Sequence, residues 1–255
     1  VVAAGVDVLT RFVHAGFSGL GALSDGLPAP FSAGRDGMLP GEGAAALVLL
    51  AADPTQAEGP WLAGTAVRGE SHHLTAPHPQ GLGAVATMQA ALQDASLTPK
   101  AIDHFSVHGT ATPFSDAMEA SAIETVFGRR PLAIHGLKHL IGHTMGAAGA
   151  IEAAVLVGLM RTGKMPPSLT PEADPDPATA IHLHARDAPS LPSCGLSLSA
   201  AFGGLYAAAV LSIQPPTSSP SLRQPVVRIA QAQLLLEATP DWASLWPDPP
   251  ARFLR

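Results

Sequence analysis

The stretch that decides the fold runs over residues 102–112 and reads Ile-Asp-His-Phe-Ser-Val-His-Gly-Thr-Ala-Thr. Its first six residues alternate apolar and polar side chains as a short strand does, and the segment from Gly109 to Pro113 ends that pattern. His108 is therefore expected at the point where a strand ends and a helix begins.

A helix is predicted directly after this turn. Either Ser115 or Asp116 can cap it, and Glu119 favours its first turn because acidic side chains stabilise the positive end of a helix dipole. Apolar residues then recur at helical spacing until Gly128 ends the pattern; they are Met118, Ala122, Ile123, Val126 and Phe127.

The same arrangement repeats one unit later along the chain. Residues 132–136 are strand-like, and Gly142-His143-Thr144 is predicted to open a long helix, rich in Ala and Gly, that runs to about Met160. His143 would then lie in the first helical turn, where the positive end of the dipole favours a neutral imidazole. Two histidines at separate strand-to-helix turns indicate a catalytic site.

These residues resemble the C-terminal half of a β-ketoacyl-acyl-carrier-protein synthase, one of the condensing enzymes of fatty-acid and polyketide synthesis with the thiolase fold. Residues 30–37 running into 40–44 are similar to an earlier family segment, and Phe202-Gly203-Gly204 is similar to its late glycine turn.

The resemblance and the alternation of strands and helices predict an α/β fold with thiolase-like α/β/α/β/α layers. Residues 1–52 are expected to be the last strands of the N-terminal repeat, and 61–213 the complete C-terminal repeat. Residues 214–255 form a Pro-rich linker and tail by composition, in which residues 226–236 are either a strand or a helix.

The resemblance also implies roles for single residues. His108 and His143 match two active-site histidines that hold the malonyl thioester and stabilise the enolate left when carbon dioxide leaves. Lys138 matches a lysine whose charge tunes this pair. The expected supporting residues are Asp116, Glu119, Thr110 and Thr112. The expected gate, oxyanion region and substrate entrance are Phe202, Gly203, Gly204 and His73.

Two features depart from the family pattern. The family's acylated cysteine lies in its N-terminal half, whereas the single cysteine here, Cys194, precedes a late strand and is expected to be a small core residue. Ala201 stands where the family has a glycine, which suggests strain if that backbone needs a positive φ. Leu205-Tyr206 replaces a polar pair with bulk, so we expect an altered gate.

Two functions therefore stay open. In the first, the chain takes part in decarboxylative Claisen condensation of an acyl group with malonyl-acyl carrier protein, together with an N-terminal half or partner chain that carries the cysteine. In the second, it is a noncatalytic subunit like a chain length factor that pairs with an active ketosynthase. The expected partners are acyl carrier protein, whose phosphopantetheine arm carries the substrate, and a ketosynthase-fold chain in a homo- or heterodimer.

Residues 1–7 read as a core strand, so the chain is expected to begin inside a domain, with an apolar sheet edge that a partner covers.

Composition excludes other classes of function. The net charge is −6 with only 14 Lys and Arg in 255 residues, which argues against nucleic-acid binding. The longest apolar helix, expected over 145–160, carries Glu152 and is shorter than the roughly 20 residues of a membrane span. One cysteine and the lack of a visible signal peptide predict a cytoplasmic protein. His182 and His184 alternate on one predicted strand without a third ligand, so neither a metal nor another cofactor is expected.

Overall fold

The computed structural model describes residues 1–53, 58–130, 132–164, 191–215 and 227–235. The strands over these residues are β1 Val2–Asp7, β2 Gly43–Ala51, β3 Trp61–Gly69, β4 His104–Ser106, β5 Ala133–His135, β6 Cys194–Ala201, β7 Leu205–Ser212 and β8 Val227–Leu235. The α-helices are α1 Arg11–Gly19, α2 Leu82–Asp94, α3 Pro113–Phe127, α4 Lys138–Ile141 and α5 Ala148–Thr162.

All of these strands belong to one sheet in the order β1-β2-β8-β3-β7-β6-β4-β5. The short strand β4, next to the edge strand β5, is parallel to both of its neighbours, β5 and β6, and the remaining pairs are antiparallel. Since β8 bonds to both β2 and β3, it joins the strands of the first 52 residues to those of the later part of the chain.

The sequence of β6 explains why helices pack on both of its faces. Leu196 and Leu198 belong to the core beneath α2 and α3, whereas Ser199 and Gly195 face α5. A Cβ at Gly195 would lie 2.8 Å from the side chain of Leu156, so any larger residue would force Leu156 to shift. The alternation of large and small residues thus places α2 and α3 on one face and α5 on the other.

Helix α5 also packs against the strands at the beginning of the chain. A Cβ at Gly5 of β1 would lie 2.8 Å from the carbonyl oxygen of Gly146, and Ala45 and Leu47 of β2 share apolar clusters with α5. Helix α5 therefore packs against strands from both parts of the chain within the one sheet, and α2 and α3 lie on the opposite face of β6, in a mixed α/β fold as predicted.

Residues 145–162, which include α5, are long and apolar enough to pass a length-and-composition test for a membrane span, with a mean hydropathy of 1.3. Half of this stretch is buried inside the protein. The packing on both of its sides agrees with the prediction of a core helix.

Several predicted boundaries are wrong. Helix α3 begins at Pro113, so neither Ser115 nor Asp116 caps it, and no side-chain cap is made at its preceding residue, Thr112. Helix α5 begins at Ala148 after a single 3₁₀ turn, so His143 lies before the helix and not in its first turn. Met145 has a φ of 44°, which an α-helix does not accommodate.

Some helices and strands of the structure were not predicted from the sequence. Helices α1 and α4 were not expected, and the ambiguous run over residues 226–236 contains the strand β8. The predicted strand with His182 and His184, and the tail aromatics Trp242, Trp246 and Phe253, lie outside the described residues.

Candidate active site

The structure brings His108 and His143 together. Their rings lie 5.3 Å apart between centroids and are nearly perpendicular, at 85°. His108 follows β4, and His143 is held by a parallel bridge to Pro40. In this bridge the His143 amide donates to the Leu39 carbonyl at 2.7 Å, and the Gly41 amide donates to the His143 carbonyl at 2.9 Å. An early segment of the chain thus fixes the second histidine.

Backbone amides set the tautomer of both rings. The Nδ1 atom of His143 accepts from the Met145 amide at 3.1 Å, and the Nδ1 atom of His108 accepts from the Ala200 amide at 3.4 Å. A neutral imidazole whose Nδ1 accepts carries its hydrogen on Nε2. Burial, followed by the charge of Lys138, lowers the pKa of each ring well below its usual value. Both histidines are therefore neutral Nε2–H donors near pH 7.

Lys138 lies beside this pair in a buried ion pair. Its Nζ is 2.5 Å from Oε1 of Glu152, and each side chain is only 2% exposed. Oε2 of Glu152 accepts a weaker bond from the Ser199 hydroxyl at 3.4 Å. Burial raises the pKa of Glu152 above its usual value, although the charge of Lys138 and its hydrogen bond oppose part of this shift. Glu152 was not predicted as a site residue, although a single acid in an otherwise apolar helix was the available signal.

Glu119 shapes the backbone around His108. Its carboxylate accepts from the His108 amide at 2.6 Å and from the Gly109 amide at 2.8 Å. Gly109 has a φ of 46°, and this turn needs such an acceptor because neither amide can enter a strand or helix ladder. Burial raises the pKa of Glu119 to about 8, although the two amides oppose the shift.

Asp116 joins the early segment to the same turn. Its carboxylate accepts from the Phe31 amide at 2.8 Å and from the Ala111 amide at 3.1 Å. Burial raises the pKa of Asp116 to about 6. Phe31 and Ala111 both have positive φ values, 59° and 64°, so Asp116 stabilises two strained positions at once.

The hydroxyls of Thr110 and Thr112 lie 3.0 Å apart and form a hydrogen bond with each other. Thr110 is buried, and Thr112 immediately precedes α3. Both residues therefore belong to the turn that carries His108.

The glycine turn, Phe202-Gly203-Gly204, connects β6 and β7. Gly203 and Gly204 have φ values of 84° and 72°, whereas Ala201 is the last residue of β6 and has no positive φ. The expected strain at Ala201 is therefore absent. Phe202 is 54% exposed and packs against Phe17 of α1, with ring centroids 5.6 Å apart.

His73 is exposed, and the described contacts of its ring lie within its own loop. Its Nδ1 accepts from the amides of Thr75 and Ala76, both at 3.1 Å. The loop nevertheless reaches the glycine turn, because the Gly203 amide donates to the Leu74 carbonyl at 2.7 Å.

Cys194 is a core residue, as expected. It is 6% exposed at the start of β6, and burial, followed by Asp103, raises the pKa of its thiol to about 12. Five residues of strand, about 16 Å, separate it from Ser199 at the site. A thiol in this position is a poor nucleophile. Over the part of the chain that the structure describes, no group of three or more His, Cys, Asp or Glu could hold a metal ion.

Comparisons with known proteins follow the same division of the chain. The beta-ketoacyl synthase C-terminal domain matches residues 61–172, and the beta-ketoacyl synthase N-terminal domain matches residues 1–54. A 3-oxoacyl-[acyl-carrier-protein] synthase 2 from Staphylococcus aureus is 36% identical over 208 residues, which are 77% of this chain and 51% of that protein. The protein of the same name from Coxiella burnetii is 33% identical over 190 residues, 72% of this chain and 46% of its own length.

Solved structures of ketosynthases and beta-ketoacyl synthases are also similar to this chain. The structure of a ketosynthase in complex with its chain length factor from Xenorhabdus doucetiae matches with a TM-score of 0.72 and 34% identity, over 83% of this chain and 52% of the matched chain. A beta-ketoacyl synthase from Burkholderia phymatum matches with a TM-score of 0.68 and 28% identity, over 83% of this chain and 54% of its own. The chain spans about half the length of the curated relatives that it matches.

Proposed function

This chain belongs to the beta-ketoacyl synthase family, and from this premise we propose that it carries the malonate-handling part of a condensing site in fatty-acid or polyketide synthesis. The observation that carries the proposal is the histidine pair: His108 and His143 are adjacent, neutral and fixed as Nε2–H donors.

The chemistry requires such donors. When a malonyl thioester loses carbon dioxide, the bond between its α-carbon and its carboxylate breaks, and the electron pair moves to the thioester oxygen as an enolate. Two preorganised N–H groups directed at that oxygen stabilise the developing charge, and each such donor typically contributes about 3–4 kcal/mol. Lys138 favours this arrangement because its charge disfavours protonation of either ring, so that the Nδ1 atoms keep accepting from the backbone.

The condensation step that follows decarboxylation needs an acylated cysteine. The enolate carbon attacks the carbonyl of an acyl group held as a cysteine thioester, and the cysteine leaves as a thiolate. Cys194 is buried, its thiol pKa is raised, and it lies at the start of β6, five residues before Ser199 at the site, so it does not fill this role. We therefore assign the acylated cysteine to protein outside this chain.

The proposed partners follow from this division. Acyl carrier protein, with its phosphopantetheine arm, would deliver the malonyl group, and a second ketosynthase-fold chain would pair with this one in a homo- or heterodimer, in the cytoplasm. No other cofactor is invoked.

The second candidate is a noncatalytic subunit like a chain length factor. The substitutions Leu205 and Tyr206 beside the glycine turn favour it, and solved ketosynthase complexes with a chain length factor are among the similar structures. Against it, a purely structural subunit has no physical need for two neutral histidines beside a buried lysine.

Decarboxylation of malonyl-acyl carrier protein tests the proposal. Release of labelled carbon dioxide is measured for the chain alone and with a ketosynthase-fold partner, in wild type, His108→Ala and His143→Ala. We expect each alanine variant to lose at least about 100-fold in rate. His72→Ala, an exposed histidine outside the site, is the matched control and should keep the wild-type rate. No release by the wild type in either setting, with stable binding to an active ketosynthase, would overturn the proposal and favour the noncatalytic subunit.

A further inference from the structure

Tyr206 lies beneath the glycine turn and not in the site. It is 2% exposed, and its ring packs so closely on α2 that a Cβ at Gly83 would lie 2.5 Å from it. Its hydroxyl donates to Oε1 of Glu70 at 2.9 Å. The bulky residue that departs from the family pattern therefore has a specific, partly buried polar partner.

Glu70 connects Tyr206 to three other parts of the molecule. Its Oε1 also accepts from the His78 amide at 3.0 Å, its Oε2 accepts from the Gly83 amide at 2.8 Å, and its own amide donates to the Gly204 carbonyl at 2.9 Å. Burial alone would raise the pKa of Glu70, but these donors and the Tyr206 hydroxyl lower it below its usual value. Glu70 is thus an ionised acceptor near pH 7.

The glycine turn rests directly on this residue. A Cβ at Gly204 would lie 2.3 Å from the Glu70 carbonyl oxygen, and the Gly203 amide is bonded to Leu74 in the same loop. The turn cannot move away from residues 70–76 without breaking these bonds. Phe202, the first residue of the turn, must follow.

We infer that Tyr206 and Glu70 form a latch that positions the glycine turn, and with it Phe202, against the loop that carries His73. Both are positioning residues: they act through the turn and touch no reacting atom. The consequence for catalysis rests on the proposed function, because it assumes that Phe202 borders the malonyl site.

The latch should act on binding more than on chemistry. If the turn is released, it occupies the binding-competent position for a smaller fraction of the time, and apparent affinity falls by that fraction. Tyr206→Phe keeps the ring packing and removes only the bond to Glu70. Loss of one hydrogen bond to a charged group is expected to raise KM for malonyl-acyl carrier protein about fivefold or more, with kcat nearly unchanged.

Hydrogen exchange on the full chain tests the latch without any activity. In Tyr206→Phe, peptides that contain Gly203, His78 and Gly83 should exchange at least about fivefold faster, while peptides of α5 keep their wild-type rates. The control is Met88→Leu, a volume-conserving change in the same core that removes no polar contact. It should leave the exchange of the turn and KM unchanged.

The outcomes separate the two proposals. Unchanged exchange of the turn in Tyr206→Phe, or equal acceleration in Met88→Leu, would overturn the latch. Faster exchange with an unchanged KM in an active wild type would overturn its role in positioning the site. If the wild type releases no carbon dioxide, the proposed function fails, and the exchange result still decides whether the latch holds the turn.

Discussion

At the scale of single residues, the site is built by carboxylates that bind backbone amides. Asp116 and Glu119 each accept from two amides in turns where the backbone has positive φ values. These acids hold His108 and its turn in place by accepting from the backbone.

Glu119→Gln tests this structural task. Both oxygens of the Glu119 carboxyl group can accept whether or not the group carries a proton, whereas the amide of glutamine has one acceptor oxygen, so either the His108 or the Gly109 amide loses its partner and faces an N–H₂ donor. We expect the free energy of unfolding, measured by urea denaturation, to fall by about 1–3 kcal/mol.

The control for this change lies in the same helix. Glu124 is partly exposed and forms a surface ion pair with Arg129, so Glu124→Gln should change the free energy of unfolding by less than about 0.5 kcal/mol. Equal effects of the two substitutions would show that the paired amides do not depend on Glu119.

At the scale of elements, acidic residues at or just after the ends of strands accept from backbone amides at the start of two helices. Helix α2 has no side-chain cap of its own, and Glu70, just after β3, binds the Gly83 amide in its first turn. Asp7 at the end of β1 binds the Gly146 amide, in the 3₁₀ turn before α5, at 2.9 Å. Each helix is therefore positioned by the strand that it packs against.

Two glycines allow a paired test of how α5 meets β1. A Cβ at Gly5 would meet the backbone of residues 146 and 147, so Gly5→Ala should lower the free energy of unfolding by about 1–3 kcal/mol. Gly16 lies inside α1 with no atom within 4 Å of its Cβ position, so Gly16→Ala should raise the free energy by about 0.5–1 kcal/mol.

Thermal or urea unfolding of both variants gives the comparison. A fall in the free energy of unfolding for Gly5→Ala together with a rise for Gly16→Ala would confirm that β1 approaches α5 through a close backbone contact. No destabilisation by Gly5→Ala would contradict this packing.

At the scale of the whole molecule, stability should depend on a buried histidine pair outside the site. His104 and His135 lie on the neighbouring strands β4 and β5, with Nε2 of the first 2.7 Å from Nδ1 of the second. Burial lowers their pKa values to about 4 and about 3. Both are neutral when folded and would take up protons near pH 6.5 when unfolded.

The contribution of the neutral histidine pair to the free energy of unfolding is therefore complete above about pH 6.5. It is lost as the pH falls toward 4, because over this range the unfolded chain binds more protons than the folded chain. Asp116 and Glu119 act in the opposite direction, since raised carboxyl pKa values favour the folded state at low pH. The pair is isolated by comparing wild type with His104→Leu/His135→Leu over pH 7 to 4.5. The difference in unfolding free energy should change by up to about 2.7 kcal/mol per pH unit.

Met88→Leu, a core change that removes no titratable group, is the control and should give a difference that does not vary with pH. A flat difference for the double variant as well would show that the pair is not neutral in the folded protein.

The exposed outer face of β1 and β2 also belongs to this scale. Val2 and Val6 of β1 are 64% and 70% exposed, opposite Val48 and Ala44 of β2. Their inner face packs on α5, so these strands are apolar on both faces, a pattern typical of strands that are covered on both sides. Strand β1 is an edge strand of the described sheet, and the covering of this edge by a partner stays a prediction.

The sequence by itself determined the order of strands β4 and β5 and helices α3 and α5 around His108 and His143, without helix α4 or the helix starts, and it determined the core role of Cys194 and the family. These features depend on local periodicity and on motifs that are contiguous in the chain, where side-chain spacing alone fixes which face is buried. It also predicted Asp116 and Glu119 as supporting residues, but not their amide partners.

Only the tertiary structure decided how these pieces act together. The start of α5 depends on a left-handed Met145 and on the bridge between His143 and Pro40, and the pairing of Lys138 with Glu152 depends on how α4 and α5 pack. Tyr206 appeared in the sequence as bulk beside the site, whereas the fold buries it against Glu70. The contacts of Tyr206 with Glu70 and of His143 with Pro40 join residues over a hundred positions apart and depend on the packing of whole elements, so no local pattern encodes them.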